Sequence, residues 1–299
     1  MLLVTGAASV VGRHLVHALT QGGAPVRAIV RPHAAVTADE LGTADLLVGD
    51  LANGHTLDAA LSGVETVVLI TRPHAELLAH DRTVLAAARQ HGVRRVLKLS
   101  VAGASAVSPL SIGRWHWESE SLLAASPLDY LIVRAHRPHQ HLCAQVDSLC
   151  TQHAFYGCQG DGEAVDVDVR DVADVLARLA FLPVLGRETL EVTGGVPHRA
   201  AEVAQRLSES MGCPVRYVDC APEDYVRALL AGGLSQQRAE DRAAWQLLLR
   251  QGRFAVPTDT VQRLTGRPPR SLDAFALEFA DSIRYPAVSH SATVDNLSH

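Results

Sequence analysis

Residues 2–23 read LLVTGAASVVGRHLVHALTQGG, and the fold follows from how this stretch divides. Leu2, Leu3 and Val4 form an apolar run of strand length. Leu15, Val16 and Leu19 instead recur at the spacing of one helix face, before Gly22 and Gly23 end it. The glycine turn TGAASVVG lies between them. A strand, a tight turn and a helix in that order bring free backbone N–H groups and the positive end of a helix dipole to one edge of a sheet, where a diphosphate can sit. A glycine turn alone is a weak motif, because ordinary βα turns also use glycine for steric reasons.

The alternation continues down the chain. VRAIV (26–30), DLLVGD (45–50), ETVVLIT (65–71), RRVLKLS (94–100) and DYLIVR (129–134) are strand-length runs separated by helical stretches. Near-continuous hydrophobicity within each run marks strands covered on both faces, as in a parallel sheet with helices above and below. Residues 1–150 therefore read as a doubly wound α/β, Rossmann-type, dinucleotide-binding domain. Beyond that the texture changes to VDVDV (165–169), a helix at DVADVLARLAF (171–181), and helices over 200–211, 222–232, 236–251, 257–265 and 271–283, with TLEVT (189–193) and VRYVD (215–219) as strands. Residues 151–286 are expected to form a smaller, mostly helical substrate lobe interleaved with the sheet. Residues 287–299 lack periodicity and are expected to be a flexible tail.

Composition narrows the partners. A formal charge of −5 gives no basic excess for binding a phosphate backbone, and no run of 18 apolar residues would span a bilayer, so neither nucleic acid nor membrane is expected. The five cysteines (Cys143, Cys150, Cys158, Cys213, Cys220) form no CxxC pair in a chain too large to need staples, so reduced thiols and a cytoplasmic protein, monomer or homodimer, are expected.

The opening LVTGAASVVGRHLV (3–16) resembles that of the NmrA-like atypical short-chain dehydrogenases/reductases. The likeness extends in order through VRAIVRP (26–32), GDL (49–51), GVETVVLIT (63–71), GVRRVLKLS (92–100), GRWHWESE (113–120), DVRDVAD (168–174) and LTGRPPRSLDAFA (264–276). It implies an NADP-type cofactor held by Gly6, Ser9, Val10, Val11 and Gly12, with Asp50, Leu51, Thr71 and Arg72 beside the nucleoside. The alternative for Asp50 is to cap the following helix. Ser9 stands where that family carries its middle glycine, so its backbone geometry decides whether the cradle survives. Arg31 follows the second strand, where an acidic residue would accept the ribose hydroxyls of NAD. An arginine there instead suits the 2′-phosphate of NADP, so NADPH is expected over NADH.

Proton chemistry is less well provided. Reducing an ordinary ketone leaves an alkoxide, which short-chain dehydrogenases protonate with a tyrosine and a lysine four residues on. Here no tyrosine has that partner, the one lysine is Lys98 within a strand, and the matching positions are Ile112 and His116. His116 and Glu120 share a helix face, so a carboxylate-oriented imidazole with a raised pKa is the expected acid/base pair, against the alternative of a packing histidine. Ser100, at the carboxyl end of its strand, is expected to face the crevice. In RAHRPHQHLC (134–143) a zinc site would need a distant pair to complete it, so no metal is expected; the resemblance places His136, His139 and His141 on a polar pocket wall, against the alternative that they face solvent, and Trp117 is read as an aromatic neighbour of the substrate, against the alternative of a ring that fills the core.

These residues point to an NADP-dependent oxidoreductase acting on a small aromatic, quinonoid or conjugated substrate, since reduction of such an acceptor needs no strong acid; the resemblance includes proteins of aromatic polyketide metabolism. Two alternatives stay open: an NADP-binding redox sensor without turnover, and a non-redox enzyme of isomerisation, dehydration or coupling.

Overall fold

The computed structural model describes residues 1–34, 36, 39–184 and 186–284; the expected tail at 287–299 lies outside them. In chain order the first elements are β1 (Leu2–Val4), α1 (Val10–Gln21), β2 (Val26–Val30), β3 (Asp45–Val48), α2 (Gly54–Leu61), β4 (Thr66–Leu69), α3 (Leu77–Gln90), β5 (Arg95–Val101), α4 (Ser111–Ala124) and β6 (Asp129–Ala135). Then come α5 (Val146–Gln152), β7 (Ala154–Gly157), β8 (Glu163–Ala164), α6 (Val169–Ala180), β9 (Glu188–Val192), β10 (His198–Arg199), α7 (Ala200–Met211), β11 (Arg216–Asp219), α8 (Pro222–Ala231), α9 (Gln236–Arg250), α10 (Thr260–Thr265) and α11 (Leu272–Arg284).

Seven strands form one parallel sheet in the order β3-β2-β1-β4-β5-β6-β9. The order reverses between β1 and β4, and both strands end at the carboxyl edge where α1 begins. Side chains alternate across the sheet, so Leu2 and Val4 enter the core under α1 and α6, while Leu3 enters the core under α2 and α3. All four residues of β4 are buried, Thr66 with the apolar run Val67–Leu69, as a strand covered on both faces requires. After residue 150 the chain still serves this sheet: α6 packs on α1, and β9 extends the sheet beside β6. The rest forms a smaller core of its own, in which Phe155, Leu207, Phe275 and Phe279 meet between α7 and α11.

The five cysteines are free thiols, and among the described residues no helix is long and apolar enough to cross a membrane.

Candidate functional site

The βα turn is closed by contacts that only glycine allows. Gly6 has φ +59°, and a Cβ there would stand 2.5 Å from the Ile70 carbonyl oxygen; a Cβ on Gly12 would stand 2.2 Å from the Gly6 carbonyl oxygen. Thr5 locks the turn to β4, its hydroxyl donating to the Ile70 carbonyl (2.9 Å) and accepting the Ile70 N–H (2.8 Å). Ser9 has extended geometry (φ −69°, ψ 162°) that any residue adopts, so the position does not require glycine. Its Oγ accepts the Gly12 N–H at 3.0 Å and caps α1, leaving the hydroxyl proton free to donate. The Val10 and Val11 amides, in the first turn of the helix, have no intrahelical partner and face the edge where the dipole is positive. Arg13 folds back onto the Ala8 carbonyl at 3.1 Å and adds charge beside the turn. This cradle fits a dinucleotide diphosphate.

At the nucleoside end, Arg31 directly follows β2 and is exposed, and Arg72 lies just past β4, half-buried. Burial and then the neighbouring Arg31 charge push the Arg72 guanidinium down from its ordinary value. Two cations thus repel one another just past the ends of β2 and β4. Asp50 is exposed and accepts the Ala52 N–H at 3.0 Å, with Leu51 half-buried beside it. The cap of α2 is Asn53, whose side chain accepts the His55 and Thr56 amides, so the alternative of Asp50 as cap is corrected. Thr71 is buried and donates its hydroxyl to Asp81, so it belongs to a buried polar layer beneath the carboxyl edge of the sheet, the floor of the crevice that a doubly wound sheet forms there, rather than to an open nucleoside face.

That floor is polar. Lys98, fully buried on β5, pairs with Asp81 of α3 at 2.6 Å, and the Ser119 hydroxyl also donates to Asp81. Burial alone would raise the Asp81 carboxyl; the Lys98 ammonium, with the Ser119 and Thr71 hydroxyls, instead holds it below the usual carboxylate range. His116 lies within reach of these charges. Burial and then Lys98 push its imidazole down to about 3, and its Nδ1 has no hydrogen-bond partner among the described residues.

The expected His116–Glu120 pair does not form. Register places Ser100, Arg134 and Glu191 side by side on β5, β6 and β9, and Arg134 draws the Glu120 carboxylate to itself at 3.0 and 2.5 Å. The Ser100 hydroxyl donates to the same carboxylate at 2.5 Å. A carboxylate four residues along a helix is in reach of the histidine, but a guanidinium presented in the adjoining strand is a better partner. The imidazole is therefore neutral, contrary to the raised pKa expected.

The histidine segment also divides. His136 meets Phe254 edge-on (5.5 Å between centroids) and lies 3.5 Å from Glu191, close to the cleft. His139 stacks on Phe275 in the smaller core, and the His141 Nδ1–H donates to the Pro138 carbonyl at 2.8 Å beside a narrow cavity lined by Phe155, Tyr217 and Gln246. A shared wall of three histidines is thus corrected: the chain turns away after Pro138, where the His139 N–H donates to the Val167 carbonyl. Trp117 is 38% exposed on the outer side of α4 and does not join the cleft. Among the described residues no group of three metal-ligating side chains converges.

Sequence reading missed Asp81, Ser119, Arg134 and Phe254. Trp245 and Phe254 stack nearly parallel (4.5 Å, 8°), and Phe254 presses on the backbone at Gly103, just past β5. The signal for Asp81 was in view: the only lysine of the chain stands in the middle of an apolar strand, and a buried ammonium requires a carboxylate.

Residues 6–183 match a family model described as NAD(P)H-binding. An NAD(P)H azoreductase from Xenophilus azovorans is 30% identical, over 92% of this chain and 96% of that protein. A (4-alkanoyl-5-oxo-2,5-dihydrofuran-3-yl)methyl phosphate reductase from Streptomyces griseus is 30% identical, over 94% and 99%. The structure of an NADPH-dependent quinone oxidoreductase from Escherichia coli, complexed with NADPH, superposes with a TM-score of 0.85 at 25% identity, over 93% and 99%.

Proposed function

The chain belongs to the NAD(P)H-binding family, among the atypical short-chain dehydrogenases/reductases, and from that membership we propose that it reduces a flat conjugated acceptor of the quinone or azo class at the expense of NADPH. As an NAD(P)H-dependent oxidoreductase it would bind the diphosphate on the 6–12 turn, with Ser9, Val10 and Val11 donating. Arg31 and Arg72 would bind the 2′-phosphate, with Asp50 and Leu51 beside the adenosine. A bound reduced nicotinamide supplies a hydride.

The observation that carries the substrate class is that, among the described residues, the floor offers no free acid. Lys98 is committed to Asp81, Glu120 to Arg134 and Ser100, and His116 is a neutral buried imidazole. An unconjugated ketone would give an alkoxide that these groups cannot protonate well. A quinone or similar acceptor gives a delocalised anion that takes its proton from water. Azo, quinone and dihydrofuranone groups all appear in the names of the relatives above, and each is an unsaturated or conjugated acceptor. In this reading Ser100, Glu120 and Arg134 position the floor, His116 fills it without titrating, and His136, Phe254 and Trp245 back the acceptor ring.

The test is NADPH oxidation by the purified protein with quinones, azo compounds and an unconjugated ketone as acceptors. Turnover of the conjugated acceptors, with the ketone slower by about 100-fold or more, is expected. Comparable turnover of the ketone would contradict the proposal, and tight NADPH binding with no turnover of any acceptor would favour the sensor.

A further inference from the structure

Arg238, Arg242 and Trp245 stand at i, i+4 and i+7 of α9 and so lie along one stripe of the helix. The adjoining stripe of Ala239, Ala243 and Gln246 is buried, which leaves the two arginines and the indole half-buried at its edge. The helix is anchored to the sheet domain: Asp241 accepts the Ser111 N–H at 2.7 Å, and the Gln237 amide donates to the Ser111 hydroxyl at the start of α4. Further along, Trp245 stacks on Phe254 against the carboxyl ends of β5 and β6. One face of α9 therefore spans the carboxyl edge of the sheet, with guanidiniums at one end and an aromatic plate about 10 Å away at the other.

Among the described residues the guanidiniums have no counterion. Burial, then Arg242, then Arg72 at the end of β4, all push Arg238 down, and no carboxylate opposes them. Among the described residues no hydrogen bond or ion pair joins Arg72, Arg238 or Arg242 to an acceptor. The indole Nε1–H of Trp245 is likewise buried and unpartnered. Donors left half-desolvated and mutually repelling are stabilised by an anion that takes several at once.

We propose that this face of α9 is an anion subsite of the substrate cleft: Arg238 and Arg242 bind an oxyanion carried by the acceptor, a sulfonate, carboxylate or phosphate, while its ring lies along Trp245 and Phe254. This rests on the reductase reading and narrows it to anionic conjugated acceptors.

Naphthalene-2-sulfonate and its neutral isostere naphthalene-2-sulfonamide, titrated calorimetrically into the full chain with and without saturating NADP⁺, test the subsite. The sulfonate is expected to bind about tenfold tighter or better, with a preference that fades as salt is added. The double variant Arg238→Gln/Arg242→Gln should lose that preference while keeping its sulfonamide affinity, NADP⁺ affinity and melting temperature. Equal binding of the two probes, or a preference that survives in the variant, overturns the proposal. So does a variant that loses NADP⁺ affinity, which would give the arginines to the dinucleotide. If the wild-type chain binds no NADP⁺, the reductase reading falls, while the titration without NADP⁺ still decides whether the arginines hold an oxyanion.

Discussion

Two sets of cations stand at the carboxyl edge of one sheet and are treated in opposite ways. On the floor, Lys98 is closed against Asp81 and Arg134 against Glu120. Along the rim, Arg31, Arg72, Arg238 and Arg242 pair with no carboxylate among the described residues and repel one another. A buried charge without its partner costs several kcal/mol, so the floor must be satisfied within the fold itself. A half-exposed guanidinium is hydrated and inexpensive to leave open, so the rim can keep its charges for a ligand. In the proposed reading the paired cations serve stability and the unpaired ones serve binding.

Breaking the floor should give the largest effect. Lys98→Met keeps the volume but leaves the Asp81 carboxylate without its ammonium, and should cost about 3–5 kcal/mol in urea unfolding. Lys98→Met/Asp81→Leu, which removes both charges, should recover most of that. A single variant as stable as wild type would show that the pair is not structural, and the contrast with the rim would fail.

A smaller effect concerns protons. His116 is held near 3 in the folded chain against 6.5 unfolded, so its folded form binds fewer protons across that window. Its contribution is therefore complete above pH 6.5 and falls away as the pH drops toward 3, by about 1 kcal/mol per unit. Stability measured from pH 7 to 5 should decline less steeply in His116→Leu than in wild type; parallel curves would mean that the imidazole is charged in the fold.

The smallest effect sharpens the rim. Ser9→Ala removes the cap on α1 and should lower stability by about 1 kcal/mol while weakening NADPH severalfold through the lost hydroxyl. Unchanged stability in thermal unfolding would mean that the cap carries no weight.

The fold was legible because its signals are local. Apolar runs, helix spacing and the glycine turn each lie within a few residues, and strand order then follows from the short connections of a doubly wound sheet. Ser9 was legible as a departure, but its capping hydroxyl was not, because φ at that position is not written in the residue type. The floor was hidden for another reason: Asp81 and Lys98 meet through α3 and β5, and Glu120 answers to Arg134 through the β5–β6 register, not to the histidine one turn away. The histidine run misled because sequence proximity says nothing of direction once the chain turns at Pro138. Arg238 and Arg242 stood out least, as ordinary charges on a helix whose position over the cleft depends on long-range packing.

The central claim, that rim cations are kept for an anionic ligand, is tested most directly by equilibrium titration of NADPH and NADH into wild type and Arg31→Ala/Arg72→Ala. The wild-type chain should prefer NADPH by about 10–100-fold, from charge-assisted contacts to the 2′-phosphate, and the variant should lose that preference with little change in NADH affinity. Equal affinity of the wild type for both nucleotides, or a variant that loses both alike, would contradict it.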